Sequence, residues 1–254
     1  MLDIIEHEGL HELRLARPPV NALDPALLRA LIEAVERAPQ RGARGLLLSG
    51  GQGVFSAGLD VPHLLTLDRD GIRGAWSAFF GAARALARSP IPVAVAIGGH
   101  CPAGGCVLAL CCDYRVMADA GDGAAAFRIG LNEVQVGLPV PDSIQVLMRR
   151  AVGPRAAETL LVTGAMVEAR RALALGLVDE LVAPEAVHGQ AMQWLRDLAR
   201  LPAQAVRATR AVARADLVAA LGEADTMDVE PFVEQWFGEE TQAALRAMVA
   251  RLGR

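Results

Sequence analysis

Lysine is absent from this 254-residue chain; all 25 basic residues are arginine. That absence excludes any mechanism built on a Schiff-base lysine. Aromatic residues are scarce at 4%, whereas hydrophobic residues reach 53%, so the chain is globular and its core is mostly aliphatic. No apolar stretch attains transmembrane length without a charge, a proline or clustered glycines interrupting it. The opening Met1-Leu2-Asp3-Ile4-Ile5-Glu6 carries no basic region and no long apolar run, so the expectation is a cytoplasmic protein without a signal peptide or membrane contact. The chain has 4 cysteines, Cys101, Cys106, Cys111 and Cys112. Two of them are adjacent and no CxxC pair exists, a spacing that speaks for buried reduced thiols and against a metal centre. Neither GxGxxG nor GxxxxGK[ST] occurs, so no dinucleotide or NTP is implied, and the nucleophile-elbow pattern Gly-x-Ser-x-Gly is missing too. A net charge of −4 and a pI near 5.8 argue against general nucleic-acid binding.

What is present alternates short apolar runs with helical patterns. His11-Glu12-Leu13-Arg14-Leu15 alternates as a strand does, and Gly45 to Gly50, Pro92 to Ile97 and Tyr114 to Ala118 read as further strands. Asp24-Pro25 predicts an N-cap and first helical residue, followed by Leu27, Leu28, Leu31, Ile32 and Val35 at helical spacing. Gly105 to Leu110 is apolar all round and predicts a central helix. After about Pro141 helical segments dominate, including one expected over 203–221 and one over 231–251. The pattern is α/β, divided for description into a core over 1–195 and a helical region over 196–254.

Two small-residue segments stand out: Gly53-Val54-Phe55-Ser56-Ala57-Gly58-Leu59-Asp60 and Cys101-Pro102-Ala103-Gly104-Gly105-Cys106. Each lies where an extended run gives way to a turn or helix, a place where backbone N–H groups can be left to face a cleft. Two such groups converging from different segments make an oxyanion hole. With Cys112-Asp113-Tyr114-Arg115 and Ile129-Gly130-Leu131-Asn132-Glu133, they follow in the order of the crotonase (enoyl-CoA hydratase/isomerase) superfamily. The chain resembles its mitochondrial-type Δ3,Δ2-enoyl-CoA isomerase branch over nearly its whole length. The resemblance implies a spiral of ββα units, a helical C-terminal region that builds trimers or dimers of trimers, and an acyl-CoA thioester substrate. Coenzyme A belongs to that substrate, and no separate cofactor is implied.

By the same resemblance, the backbone amides of Ala57 and Gly104 are the oxyanion donors. Ala57, Gly58, Leu59, Asp60, Val61, Gly104, Val107 and Asn132 are placed against the substrate. Glu133 coincides with the catalytic glutamate, and its apolar neighbours should raise its pKa. Hydratases of the superfamily carry a second glutamate where this chain has Val107; a valine cannot position water, and an apolar wall there would exclude it. One base working between C2 and C4 is an isomerase. The alternatives are a hydratase or another crotonase reaction, and a non-catalytic acyl-CoA or RNA-binding scaffold. Asp60 is expected to cap a helix, Asp113 and Arg115 to pair, and His100 to be structural. Arg207, Arg210 and Arg214 form a stripe able to meet CoA phosphates, or a solvated helical face; the acidic stretch Glu223, Asp225, Asp228, Glu230 and Glu234 could pair with it across a subunit interface.

Overall fold

The computed structural model describes residues 1–223 and 228–252. Ten strands form two sheets: β1 (Leu2–His7), β2 (Leu10–Leu15), β3 (Gly45–Ser49), β4 (Gly53–Val54), β5 (Val93–Ile97), β6 (Gly99–Pro102), β7 (Tyr114–Ala118), β8 (Arg128–Gly130), β9 (Val167–Glu168) and β10 (Glu180–Val182). The larger sheet runs β1-β2-β3-β5-β7-β10, and only its β1–β2 hairpin is antiparallel. The smaller runs β4-β6-β8-β9, with β4, β6 and β8 parallel.

The larger sheet is covered on both faces, which is why β3 and β5 are buried at every residue. One face meets helices Pro25–Arg37 and Arg69–Arg88. Asp24 caps the first of these, its Oδ1 accepting from the Leu27 amide at 2.7 Å. The other face meets Val187, Ala191, Met192 and Leu195 of helix Val187–Ala199, packed on Leu47, Ala94 and Val116. Helix Ala103–Leu110 is buried around its circumference from Gly104 onward, as its uniform apolar sequence requires. No helix among the described residues is long and apolar enough to cross a membrane.

The C-terminal half is helical but more broken than its sequence pattern suggests. The expected helix over 203–221 is two, Ala203–Ala213 and Ala215–Ala220, divided at Arg214. The one expected over 231–251 is likewise two, Glu230–Trp236 and Glu239–Leu252, divided at Phe237-Gly238. Val233, Trp236 and Leu245 join the same hydrophobic core as the first half.

Asp113 pins this half to the sheet. It accepts from Arg210 Nε and Nη2, both at 2.8 Å, from Arg214 Nη1 at 2.9 Å and from the Val93 amide at 2.7 Å. The expected Asp113–Arg115 pair is therefore corrected. Arg115 instead pairs with Asp179 at 2.9 Å. Within the chain, Glu223, Glu230 and Glu234 pair with Arg88, Arg73 and Arg69. Asp225 lies outside the described residues. The Asp113, Arg210 and Arg214 side chains are only 10–12% exposed. Removing the carboxylate leaves two guanidinium groups shielded without their anion. Asp113→Ala should lower the free energy of unfolding by about 3 kcal/mol, measured by urea titration.

Candidate active site

Three parallel strands of the small sheet each deliver one functional segment. Strand β4 runs into Phe55–Asp60, β6 into the helix that starts at Ala103, and β8 into the turn that holds Glu133. The pairs Val54↔His100 and Pro102↔Gly130 bring these strand ends side by side. Binding sites form outside the carboxyl ends of parallel strands because the chain must turn there, releasing backbone groups from the ladder.

The first segment is stitched to the loop before it. Asn21 Nδ2 donates to the Phe55 carbonyl at 3.1 Å, and Ser56 Oγ donates to the Asn21 carbonyl at 2.7 Å. These bonds decide which amide is available. Ala57 donates to the Val20 carbonyl at 2.9 Å, so the expected oxyanion donor is already engaged. Gly58 donates to Ser56 Oγ at 3.2 Å, and Asp60 to the Leu23 carbonyl at 3.0 Å. Leu23 in turn donates to the Gly58 carbonyl at 2.7 Å, forming a parallel bridge opposite Leu59. Such a bridge turns the opposed residue's own N–H away from its partner. The Leu59 amide is thus left without a hydrogen bond among the described residues. The expectation for Ala57 is thereby corrected, and Leu59 takes its place as the candidate donor.

Gly104 is the second residue of helix Ala103–Leu110, where an amide has no partner within the helix. Ala103 before it stands at φ 46°, a left-handed conformation unusual for alanine. The two segments touch through backbone. Gly58, at φ +84°, is placed so that an added Cβ would lie 3.2 Å from the Gly104 nitrogen and 3.1 Å from Ala103 Cβ. A Cβ on Gly104 would stand 3.2 Å from both Leu23 and Phe79.

Glu133 opens a short turn, Glu133–Val136, anchored by Gln135 Nε2 donating to the Gly164 carbonyl at 2.8 Å. Thr241 Oγ1 donates to the Gly137 carbonyl at 2.7 Å, tying the turn to helix Glu239–Leu252. The Glu133 residue is half-buried, yet its Oε2 is fully shielded and has no hydrogen-bond partner among the described residues. Burial pushes its carboxyl from the ordinary value up to about 7, opposed only weakly by its own backbone amide. Asn132 Oδ1 is also shielded without a partner.

These groups share one cavity of about 390 Å³, lined by Leu59, Gly104, Asn132 and Glu133 together with Ala57 and Val61. Its apolar wall includes Trp76, Phe79, Trp236 and Met248, none of which the motif residues indicate. Trp76 and Phe79 lie in the run Trp76-Ser77-Ala78-Phe79-Phe80, which reads equally as core. Arg17 also reaches the cavity and pairs with both Asp24, at 3.1 Å, and Asp60. Asp60 caps the next helix as expected, accepting from the His63 amide at 3.1 Å.

Two expected contacts are corrected. Gly58 and Val107 are buried and do not line the cavity. Val107 faces the core from the middle of its helix, so the apolar wall comes from residues distant in sequence. Arg210 and Arg214 are held by Asp113, away from this cavity. His100 is structural, accepting from the Arg128 amide at 3.2 Å.

Comparison with known proteins identifies the family and the fold. The Enoyl-CoA hydratase/isomerase family matches residues 6–251. Human mitochondrial enoyl-CoA delta isomerase 1 is 32% identical over 246 residues, covering 96% of this chain and 80% of the relative. A probable enoyl-CoA hydratase of Mycobacterium tuberculosis is 35% identical over 204 residues, covering 80% and 76%. The crystal structure of human mitochondrial delta3-delta2-enoyl-CoA isomerase superposes with a TM-score of 0.92 at 31% identity, over 99% of this chain and 98% of that one. Sequence match, superposition and site geometry coincide: the chain belongs to the enoyl-CoA hydratase/isomerase family and has the crotonase fold.

Proposed function

We propose that this protein is a Δ3,Δ2-enoyl-CoA isomerase. The observation that carries this reading is a single unpaired carboxylate, Glu133, in a cavity with the Leu59 and Gly104 amides. A 3-enoyl thioester bound there sets its carbonyl oxygen between the two amides. Glu133 takes a proton from C2, and the electrons spread through the dienolate onto the thioester oxygen, where the amides and the helix N-terminus stabilise them. The same carboxyl then returns the proton at C4, leaving the double bond between C2 and C3. A pKa near 7 suits a group that must both accept and donate.

Hydration asks for more: a water must be activated while a proton reaches C2. The other acidic residue on the cavity wall, Asp60, is committed to Arg17 and to its helix cap. Identity to a probable hydratase favours hydration as the second reading. Incubation of the protein with 3-hexenoyl-CoA and separately with crotonyl-CoA distinguishes the two. Isomerisation should exceed hydration by about 10²-fold, the scale on which one missing acid–base group acts. Hydration at an equal or greater rate would overturn the assignment.

Glu133→Gln keeps the shape of the side chain and removes the proton acceptor. Isomerisation should fall about 10²-fold or more while acyl-CoA still binds. In the unaltered enzyme kcat/KM should fall below pH about 7, where Glu133 becomes protonated. Stability runs the other way. The raised pKa favours the folded state fully below the unfolded value of 4.5, and this contribution is lost as pH rises through about 7. Glu133→Gln should therefore raise Tm relative to the unaltered protein at pH 8.5 and lose that advantage at pH 4, in calorimetry.

Gly58→Ala tests the donor pair. The added methyl meets Ala103 and the Gly104 nitrogen in a left-handed backbone, so the amides must separate. Solvent deuterium exchange at C2 of a bound saturated acyl-CoA should slow by about 10²-fold, the scale of one lost oxyanion donor. Exchange at the unaltered rate would show that the spacing of these segments does not matter.

A further inference from the structure

Outside the cavity of the candidate site, three donors from three separate elements converge. His7 ends β1, Glu12 lies in β2 and His188 belongs to helix Val187–Ala199. One ligating atom from each lies within 4.8 Å of the other two. Both imidazole Nε2 atoms stand 3.1 Å from the same carboxylate oxygen, Glu12 Oε2. The other oxygen is occupied, accepting from Ser49 Oγ at 2.7 Å and Arg14 Nε at 3.0 Å. None of the three residues lines the catalytic cavity.

We propose that His7, Glu12 and His188 bind a divalent transition-metal cation of the Zn²⁺ class. Tetrahedral Zn²⁺ with nitrogen and oxygen ligands at about 2.0–2.1 Å sets neighbouring donors about 3.3 Å apart, close to the 3.1 Å between each imidazole Nε2 and Glu12 Oε2, with all three atoms within 4.8 Å of one another. The donor set, two imidazoles and one carboxylate, is of the borderline kind that such ions take and that Mg²⁺ and Ca²⁺ do not. Glu12 supplies an anion aimed by its second oxygen: Ser49 and Arg14 fix Oε1 and leave Oε2 toward the two rings. Such outer contacts orient a metal-binding carboxylate. On binding, the cation takes the Nε2 lone pair of each ring, and the remaining imidazole proton resides on Nδ1. The imidazoles are 30% and 44% exposed, so the ion has a path in and water can complete its coordination. Arg14 is a nearby like charge, but it is 45% exposed and solvated. The buried cysteines offer no competing accessible site, all four thiols being within the core. The ion would join the β1–β2 hairpin to helix Val187–Ala199, a structural clasp independent of the reaction assigned above.

Tag-free protein titrated with ZnCl₂ in a calorimeter should bind one ion per chain with a Kd below about 10 μM and gain several degrees of Tm. Co²⁺ should give the visible absorption of a low-coordinate nitrogen–oxygen site. His188→Ala and His7→Ala, both at partly exposed positions, should each weaken Zn²⁺ binding at least about tenfold, as loss of one ligand predicts, while melting without metal shows them folded. Acyl-CoA turnover should be the same in both variants as in the unaltered protein. Absence of Zn²⁺ binding to the unaltered protein, or the same affinity in both variants, would overturn the proposal.

Discussion

The arrangement of the candidate site depends on how closely backbone can approach backbone in the small sheet. A Cβ on Gly99 would lie 2.1 Å from the Gly53 carbonyl, an impossible contact, so β4 and β6 can pair only with glycine there. That pairing fixes the separation of the segments that follow, and β8 extends the same ladder to Glu133. Strands of two to four residues contribute little stability alone. They hold because their sides are sealed by the core: Phe55, Cys101 and Ile129 are fully buried. The large sheet and its helices supply that seal, and the small sheet turns it into position.

Charge is distributed to the same end. The acidic groups that hold the chain together are committed: Asp113 to two arginines, Glu12 to Ser49, Arg14 and two histidines, Asp60 to Arg17 and a cap. Glu133 alone among the described residues has a carboxylate oxygen shielded and without a partner. An unpaired buried charge opposes folding, and proteins keep one where reactivity requires it. The C-terminal helices share in this. Thr241 holds the turn of Glu133, while Trp236 and Met248 close the cavity around it. The proposed base is thus set by contacts more than 100 residues distant in sequence.

Much of this was legible in the sequence, and what was not has definite physical reasons. The buried strands β3, β5 and β7 and the capped helix after Asp24 announce themselves through apolar runs and capping chemistry. Strands β4, β8 and β9 are too short for any period to register. Glu133 and Gly104 were legible as motif positions. The other donor was not, because small residues reveal where a backbone can approach and not which N–H points outward. Only the bridge between Leu23 and Leu59 decides that. Val107 was correctly read as apolar but misplaced: helix rotation about its axis, invisible in composition, turns it into the core. The Asp113 pairing failed for the same reason as any long-range contact, since Arg210 and Arg214 lie 97 and 101 residues away.

The Leu59 donor belongs to the main chain, and the side chain at that position is a separate matter. Every residue except proline supplies the same N–H. A survey of substitutions there would find a permissive site and rank it as unimportant, although the proposed thioester donor sits on it. Substrate preference can therefore drift through the side chain at 59 while the electrophilic machinery is inherited intact. A lineage built on such a fold can change what it accepts without first losing what it does.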